Sequence, residues 1–408
     1  MAMIGKPRGT RDFTPAEMQQ RRTVERATRS VFERYGYGEI ATPIIEHMEL
    51  FTMKSGEEVI EETYEFEDKS GRHLALRPEL TAPAMRFYVE QLQMEPKPLK
   101  LYYFGPCYRY DRPQAGRYRE FWQMGCELIG TDTPEAIAEL ISLAYQAVQE
   151  PGLQDVELRV GDLTLLRFLM EQLGIERQGQ VMRLLDKHDD EGLDALLDQE
   201  QSETLRSFLA CRTLEDVASM VDEEQVTRLR EVLDWLDVFA VPTTLDPSIA
   251  RGLDYYTGIV FEIDAPSLGA EKQICGGGEY NLVPLLGGSP VATAGFALGF
   301  DRILLALEEE GRGVASRRDL VYVAPVSDAM RRPAARVAMQ LRRAGRHVEL
   351  DLMRRSMGKS LQHADRLGAT TAIIVGDEEW ERNAIMVKDM KSGEQREVDV
   401  DELAGATS

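Results

Sequence analysis

A chain of 408 residues, 43% hydrophobic and 29% charged, is too long for one ordinary domain and too apolar to stay unfolded, so two or three units with their own cores are expected. No run approaches the roughly 18 consecutive apolar residues of a membrane span, and Cys107, Cys126, Cys211 and Cys275 are scattered without a CxxC, which argues against a disulfide framework or a thiolate zinc site. A formal charge of −22 argues against a protein that holds nucleic acid by bulk attraction.

The opening MAMIGKPRGTRDF has no apolar stretch followed by a cleavage site, so a cytoplasmic location is expected. Thr14, Pro15 and Glu17 then announce a helix: a capping residue, a proline suited to the first turn, and the acid that completes a capping box. Val24, Ala27, Val31 and Phe32 recur on one face of it, and Gly36 and Gly38 end it. Ile40 to Ile45, broken by Pro43, reads as an edge strand, because proline cannot donate to a central ladder. Short β-rich runs follow at Thr63–Glu67, His73–Arg77, Lys100–Tyr110 and Glu120–Gly130, interrupted by a helix at Thr81–Gln93, and together they predict an antiparallel sheet.

After Pro151 the character changes. Residues 151–245 carry a net −12, and within them 162–237 are Leu-rich, acidic and poor in aromatics with helical spacing, so the segment 151–245 reads as a helical insertion. The β pattern resumes through Ile259–Ile263 and Ala292–Leu298, followed by an amphipathic helix at Asp301–Glu309. The expected sheet domain is therefore split, 1–150 with 246–312. Gly311–Arg318 reads as a linker, and 319–408 as a small α/β domain with a mostly parallel sheet: strands at Leu320–Val323, Val348–Leu352 and Thr371–Val375, and helices at about Met330–Ala344 and Ser360–Leu367 ending on Gly345 and Gly368. Within it, residues 331–366 hold a local excess of +7, either a polyanion surface or a pair of solvated helix faces.

The densest chemical signal lies in residues 101–127, where two aromatic-rich strands flank DRPQAGRYR. Arg109, Arg112, Arg117 and Arg119 fall at this hairpin end, and rigid guanidinium forks suit phosphate. Arg109 closes the first strand and can be aimed by the sheet. Gln123 and Glu127, four apart on the second strand, face one side; their partners are either a ligand bearing an ammonium or imidazole N–H, or groups elsewhere in the protein. Three further clusters stand out. Glu79 and Thr81 in RPELT would hold an α-amino group or merely cap the helix that follows. Arg251, Asp254, Tyr255 and Tyr256 are crowded between turn glycines in ARGLDYYTG. Arg302 opens the helix after the small-residue strand GFALGF. The run Gly276-Gly277-Gly278 is neither GxGxxG nor a Walker loop.

Taken together, these segments resemble the histidyl-tRNA synthetases, a branch of the class II aminoacyl-tRNA synthetases, over nearly the whole chain. The Pro43 strand is similar to motif 1, 101–130 to motif 2 and 295–304 to motif 3. GTRDF at 9–13, RPELT at 77–81, ARGLDYYTG at 250–258 and CGGGEYN at 275–281 are similar to the family's own signatures, and 320–405 resembles an anticodon-binding domain. The resemblance implies an α+β catalytic domain on an antiparallel sheet with a helical insertion, plus a C-terminal α/β anticodon-binding-type domain. It implies ATP-dependent activation of histidine to histidyl-adenylate, with Mg2+ entering on ATP, then transfer to tRNA(His) by a homodimer. Arg109 and Arg251 are implied for catalysis; Asp111, Arg117 and Arg302 with Arg109 for ATP; and Glu79, Thr81, Gln123, Glu127, Tyr255 and Tyr256, with Arg109 and Arg251, for histidine. Departures from the family's usual pattern are Asp111 and Asp301 for Glu, and Glu279 and Asn281 for Arg and Asp. The rival reading is a non-catalytic histidine-binding paralogue, such as the regulatory subunit of ATP phosphoribosyltransferase; such paralogues generally lack the C-terminal domain and the arginine motifs that are present here.

Overall fold

In the computed structural model, which describes residues 4–53, 61–114, 116–187, 189–249, 255–312 and 319–402, the helix Pro15–Arg34 begins where its sequence places it. The Thr14 hydroxyl accepts from the Glu17 N–H, and the Glu17 carboxylate accepts from the Thr14 N–H at 2.6 Å. Val24, Val31 and Phe32 are buried on its inner face, and Gly36 leaves the helix at φ 78°. The chain divides into two compact units, Met1–Val314 and Ala315–Ser408.

The strands of the first unit are β1 (Gly38–Glu39), β2 (Ile45–His47), β3 (Glu65–Glu67), β4 (His73–Leu76), β5 (Leu99–Tyr108), β6 (Glu120–Ile129), β7 (Glu157–Asp162), β8 (Thr244–Leu245), β9 (Tyr256–Asp264), β10 (Gln273–Tyr280) and β11 (Thr293–Gly299). Among the described residues, eight of them form one sheet in the order β1-β5-β6-β11-β10-β9-β7-β8, antiparallel throughout except for the two parallel edge pairs. The β5–β6 hairpin is its longest ladder, from Leu99 opposite Ile129 to Tyr108 opposite Glu120. One face packs on the helices Pro15–Arg34 and Pro134–Gln149, with Phe32 stacked on Tyr102 at 5.2 Å and on Phe296 at 5.7 Å. Burying a side chain of this size stabilises by about 1.5–3 kcal/mol.

Three points differ from the sequence reading or add to it. Most of the strand expected over Ile40–Ile45 is a connection: residues 40–44, Pro43 among them, link β1, which pairs with β5, to β2, which enters a separate three-stranded sheet, β2-β4-β3. The buried Arg77 guanidinium braces that connection by donating to the carbonyls of Thr42 at 2.8 Å and Pro43 at 3.1 Å. Secondly, the glycine run lies inside a strand. Added to Gly277, a Cβ would stand 2.3 Å from the Gly295 carbonyl oxygen and 2.4 Å from the Phe296 Cβ, so glycine is what allows β10 and β11 to close. Thirdly, within 151–245 the helices run from Leu163 to Val238, where the Leu-rich pattern places them, and the flanking β7 and β8 pair into the large sheet.

The second unit contains β12 (Leu320–Pro325), β13 (His347–Leu350), β14 (Thr371–Val375), β15 (Ala384–Asp389) and β16 (Gln395–Asp399), ordered β13-β12-β14-β15-β16. The helices Arg331–Arg343 and Met357–Arg366 end as anticipated, on Gly345 at φ 82° and Gly368 at φ 70°. The sheet is mixed rather than mostly parallel, because β14-β15 and β15-β16 are antiparallel. That hairpin escaped the pattern because β16, QREVD, is a polar edge strand with four of its five residues exposed.

Candidate active site

The β5–β6 hairpin and its loop build one wall of the site. Beyond the end of β5 the Arg109 N–H donates to the Arg119 carbonyl at 3.0 Å, which carries the ladder into the loop. The Arg109 side chain is then aimed by two contacts: its Nε donates to the Pro78 carbonyl at 3.0 Å, and its guanidinium lies 5.3 Å from the Phe121 ring centre. Beside it opens a cavity of about 720 Å3, walled by Glu79, Thr81, Arg109, Asp111, Arg117, Gln123, Tyr255, Tyr256 and Arg302. The structure thus gathers onto one cavity nine candidates taken from four separated stretches of sequence. Arg251 lies outside the described residues.

Glu127 does not line this cavity. It is fully buried on β6, where its Oε1 accepts from the Tyr103 hydroxyl at 2.8 Å and its Oε2 accepts from the Tyr280 hydroxyl. Burial pushes its carboxyl up to about 8 even though both phenols act in the opposite sense. The Tyr103 hydroxyl also reaches Thr81 Oγ1 at 3.2 Å, and the Tyr280 ring meets that of Tyr255 edge-on at 5.7 Å. A buried carboxyl therefore sits behind a layer of phenols and one hydroxyl that separates it from the cavity.

The sequence left two roles open for Glu79, and the second is realised. Its carboxylate accepts from the N–H groups of Thr81 at 2.5 Å and Ala82 at 2.9 Å, the first turn of the helix Thr81–Phe87, while still facing the cavity. Burial raises its pKa; the two backbone donors and Arg109 oppose that shift. Gln123, at the same face of β6, accepts from the Cys107 thiol at 3.3 Å.

Arg117 and Arg302 meet at the other end, where sequence reasoning missed a residue. Glu271 Oε2 accepts from Arg117 Nε at 3.0 Å and from Arg302 Nη2 at 2.9 Å, and its Oε1 accepts from Gln114 Nε2 at 3.0 Å. Arg117 also faces Asp111 at 3.4 Å, and Asp111 accepts from the Arg112 N–H at 2.6 Å. Nothing in the local run Ala270-Glu271-Lys272 sets Glu271 apart from any surface acid; the signal is purely spatial.

The neighbouring Asp301, which the sequence marks only as a departure from the family's usual Glu, takes a structural place. It is buried and accepts from Arg11 at 2.7 Å, Arg21 at 2.5 Å and the Trp122 N–H at 2.7 Å, which ties the N-terminal segment, the first helix and β6 to the start of the helix Phe300–Glu309. Arg11 also stacks 3.4 Å over Tyr118, and the Arg119 N–H donates to the Gly9 carbonyl at 2.9 Å, so GTRDF folds against the arginine loop. Glu279 is likewise consumed internally, accepting from the Ile259 N–H at 2.8 Å and pairing with Arg228 of the helical segment. Among the described residues, no three His, Cys, Asp or Glu side chains converge in a way that could hold a metal ion.

The family model for histidyl-tRNA synthetase matches residues 9–303, and that for the anticodon binding domain matches 320–407. The chain is 45% identical to a histidine–tRNA ligase of Methanocorpusculum labreanum over 404 residues, covering 98% of this chain and 97% of that protein. It is 43% identical to a histidine–tRNA ligase of Archaeoglobus fulgidus over 412 residues, covering 98% of each. Among solved structures, the apo histidyl-tRNA synthetase of S. aureus superposes with a TM-score of 0.77 at 32% identity over the full length of both chains. With motif 2 arginines, an RPELT helix and a motif 3 arginine opening onto one cavity, and with relatives matching from end to end, this chain belongs to the histidyl-tRNA synthetase family.

Proposed function

We propose that the chain is a histidine–tRNA ligase, which activates histidine with ATP to histidyl-adenylate and pyrophosphate and then transfers the histidyl group to tRNA(His). The observation that carries this reading is the polarity of the cavity. Arg109, Arg117 and Arg302 line it together with Glu79, Thr81, Gln123 and the Tyr255–Tyr256 pair, so a polyanion and a small cationic or polar ligand both find partners in it.

In-line attack of a carboxylate on the α-phosphorus brings two anions together, so the protein's contribution is charge neutralisation and positioning. Arg109, fixed by Pro78 and Phe121, is placed to bridge the amino-acid carboxylate and the α-phosphate. Arg302, held by the Gln273 carbonyl at 2.6 Å, suits the terminal phosphates, with Arg117 beside it and Asp111 toward the nucleotide. Thr81, Gln123 and the outward side of Glu79 take the α-amino end; Tyr255 and Tyr256 flank the imidazole, and Glu127 acts on it from beneath. Arg251 supplies charge from the opposite side by the family resemblance. Magnesium enters on the ATP phosphates, which commonly hold this hard cation with few protein ligands.

The same reading assigns 1–150 with 246–312 to the catalytic core, 151–245 to the insertion and 319–408 to anticodon binding. Exposed Arg332, Arg336, Arg343, Lys359 and Arg366 support RNA contact there, whereas Arg331, Arg346 and Arg355 are taken up by Asp328, Asp319 and Asp351. A homodimer in the cytoplasm completes the proposal. Its support is the β2-β4-β3 sheet, where exposed Ile45 and Phe66 share a face with Leu74 and Leu76. No helix among the described residues is long and apolar enough to cross a membrane.

The decisive experiment is amino-acid-dependent exchange of pyrophosphate into ATP, run over the twenty amino acids with magnesium and without tRNA. Exchange with histidine alone is expected. No exchange, with histidine still binding by calorimetry, would transfer the assignment to a non-catalytic histidine-binding protein.

A further inference from the structure

Glu271 is the last residue of the 3-10 turn Pro266–Glu271, between β9 and β10, and it touches both arginines assigned to the terminal phosphates through a single oxygen. Two guanidinium groups converging on one point repel each other unless an anion lies between them, and here a carboxylate oxygen fills that position. Its distances, 3.0 Å to Arg117 and 2.9 Å to Arg302, are close to those that a phosphate oxygen would adopt between the same donors. One acceptor position cannot hold both.

The surroundings allow the carboxylate to leave. The Glu271 side chain keeps 25% of its exposure on the cavity wall, and none of the residues of its turn is buried. Leu268 packs on the core and the Ala265 N–H donates to the Lys272 carbonyl at 2.7 Å, so the base of the turn is fixed; beyond it Gly269 sits at φ 62° with nothing within 4 Å of where a Cβ would project, which leaves the Glu271 side chain room to swing. Arg302, by contrast, keeps its place without Glu271, because its Nη1 donates to the Gln273 carbonyl at 2.6 Å and its Nε to the Gly116 carbonyl at 3.3 Å. Downstream, Lys272 is anchored to the buried Asp264 at 3.1 Å, which marks the limit of the movable piece.

We infer that Glu271 is an internal stand-in for the terminal phosphates of ATP: it holds Arg117 and Arg302 converged in the free protein and yields its position when the nucleotide enters. The inference rests on the ATP-dependent reading above. Its consequence is a trade: the arginines are organised in advance, and the anion they await must displace a competitor of the same charge.

The test uses the full chain with Glu271→Gln, which keeps the shape and an acceptor oxygen but removes the charge, and Glu271→Asp, which keeps the charge. Inorganic tripolyphosphate is titrated calorimetrically in the presence of a chelator, so that no metal ion bridges carboxylate and phosphate, and histidine-dependent exchange is measured against ATP concentration. Glu271→Gln is expected to bind tripolyphosphate tighter by on the order of tenfold, the equivalent of one partly exposed charge pair. Its KM for ATP should fall with kcat changed much less, and Glu271→Asp should stay near the parent. Unchanged or weaker tripolyphosphate binding in Glu271→Gln, with exchange intact in the parent, would overturn the stand-in role and leave the ligase reading standing. Absence of histidine-dependent exchange in the parent, with tighter tripolyphosphate binding in Glu271→Gln, would overturn the ligase reading and leave the stand-in for a polyphosphate intact.

Discussion

Glu127 shows how a single buried carboxyl sets a property of the site. Burial, acting against two phenolic donors, holds its pKa at about 8, far above the usual carboxylate range, so in the free protein it carries its proton across most of the neutral region. The sign of the linkage follows. A folded-state pKa above the unfolded value means that the stability contributed by the proton is complete below the unfolded pKa and is lost as pH rises through the folded one. Wild type should therefore lose stability relative to Glu127→Gln between about pH 4.5 and 8, with a slope of up to about 1.4 kcal/mol per pH unit. Urea midpoints of the two proteins at pH 5.5 and 8.5 check this, and a difference that does not change with pH would refute it. That Glu127 matters was legible from its position two pleats from Gln123; that it lies beneath Tyr103 and Tyr280 was not, because Tyr280 comes from a strand 153 residues further along the chain.

At the scale of elements, the site is a sheet face on which small residues make room for a few large ones. Gly125 on β6, Gly295 and Ala297 on β11 and Gly276 on β10 share one face; the room left by Gly125 and Gly295 is taken by Tyr103 and the Glu127 carboxyl, while Gly276, Gly295 and Ala297 line the cavity. A Cβ on Gly295 would stand 2.1 Å from Glu127 Oε2 and 2.5 Å from the Cys126 carbonyl oxygen. Gly295→Ala is accordingly expected to cost about 1–3 kcal/mol of stability by overpacking and to raise the KM for histidine more than that for ATP, since the displaced group is Glu127. Thermal unfolding and exchange kinetics would show it, and an equal rise in both KM values would mean that the strand itself had shifted. The capped first helix and the β5–β6 hairpin were legible in the sequence because their signals are local: a capping box, a period of two, and turn residues between. The third glycine-bearing strand was not, since its reason for being glycine is the approach of β11, which no window around residue 277 contains.

For the molecule as a whole, the two units have separate cores, that of the second being built from Val321, Val323, Val337, Leu341, Ile373 and Ile385. Deleting 319–408 should therefore leave histidine-dependent exchange within a few-fold while reducing tRNA charging by on the order of a hundredfold or more, the loss expected when several phosphate contacts go together. Equal losses in both assays would contradict that division of labour. The exposed apolar face of β2-β4-β3 belongs to the same scale. Sedimentation at micromolar concentration should give a dimer, Phe66→Glu should shift it toward monomer, and a monomeric parent would remove the dimer from the proposal.

What the sequence determined by itself was whatever depends on neighbours in the chain. It placed the helix caps and strand periods, the arginine-rich hairpin loop, the alternation that separates a β core from a Leu-rich acidic segment, and the signature runs that carry the family resemblance. Tertiary structure alone decided which of those runs face one another. It turned the Glu79 carboxylate onto a helix start at the cavity wall, put Glu127 beneath its phenols, pinned Asp301 between Arg11 and Arg21, and set Glu271 between Arg117 and Arg302. Each of these pairings depends on distance through space and on local dielectric. A carboxylate has the same composition and the same neighbours in sequence whether it ends up solvated, capping a helix or occupying the place of a phosphate.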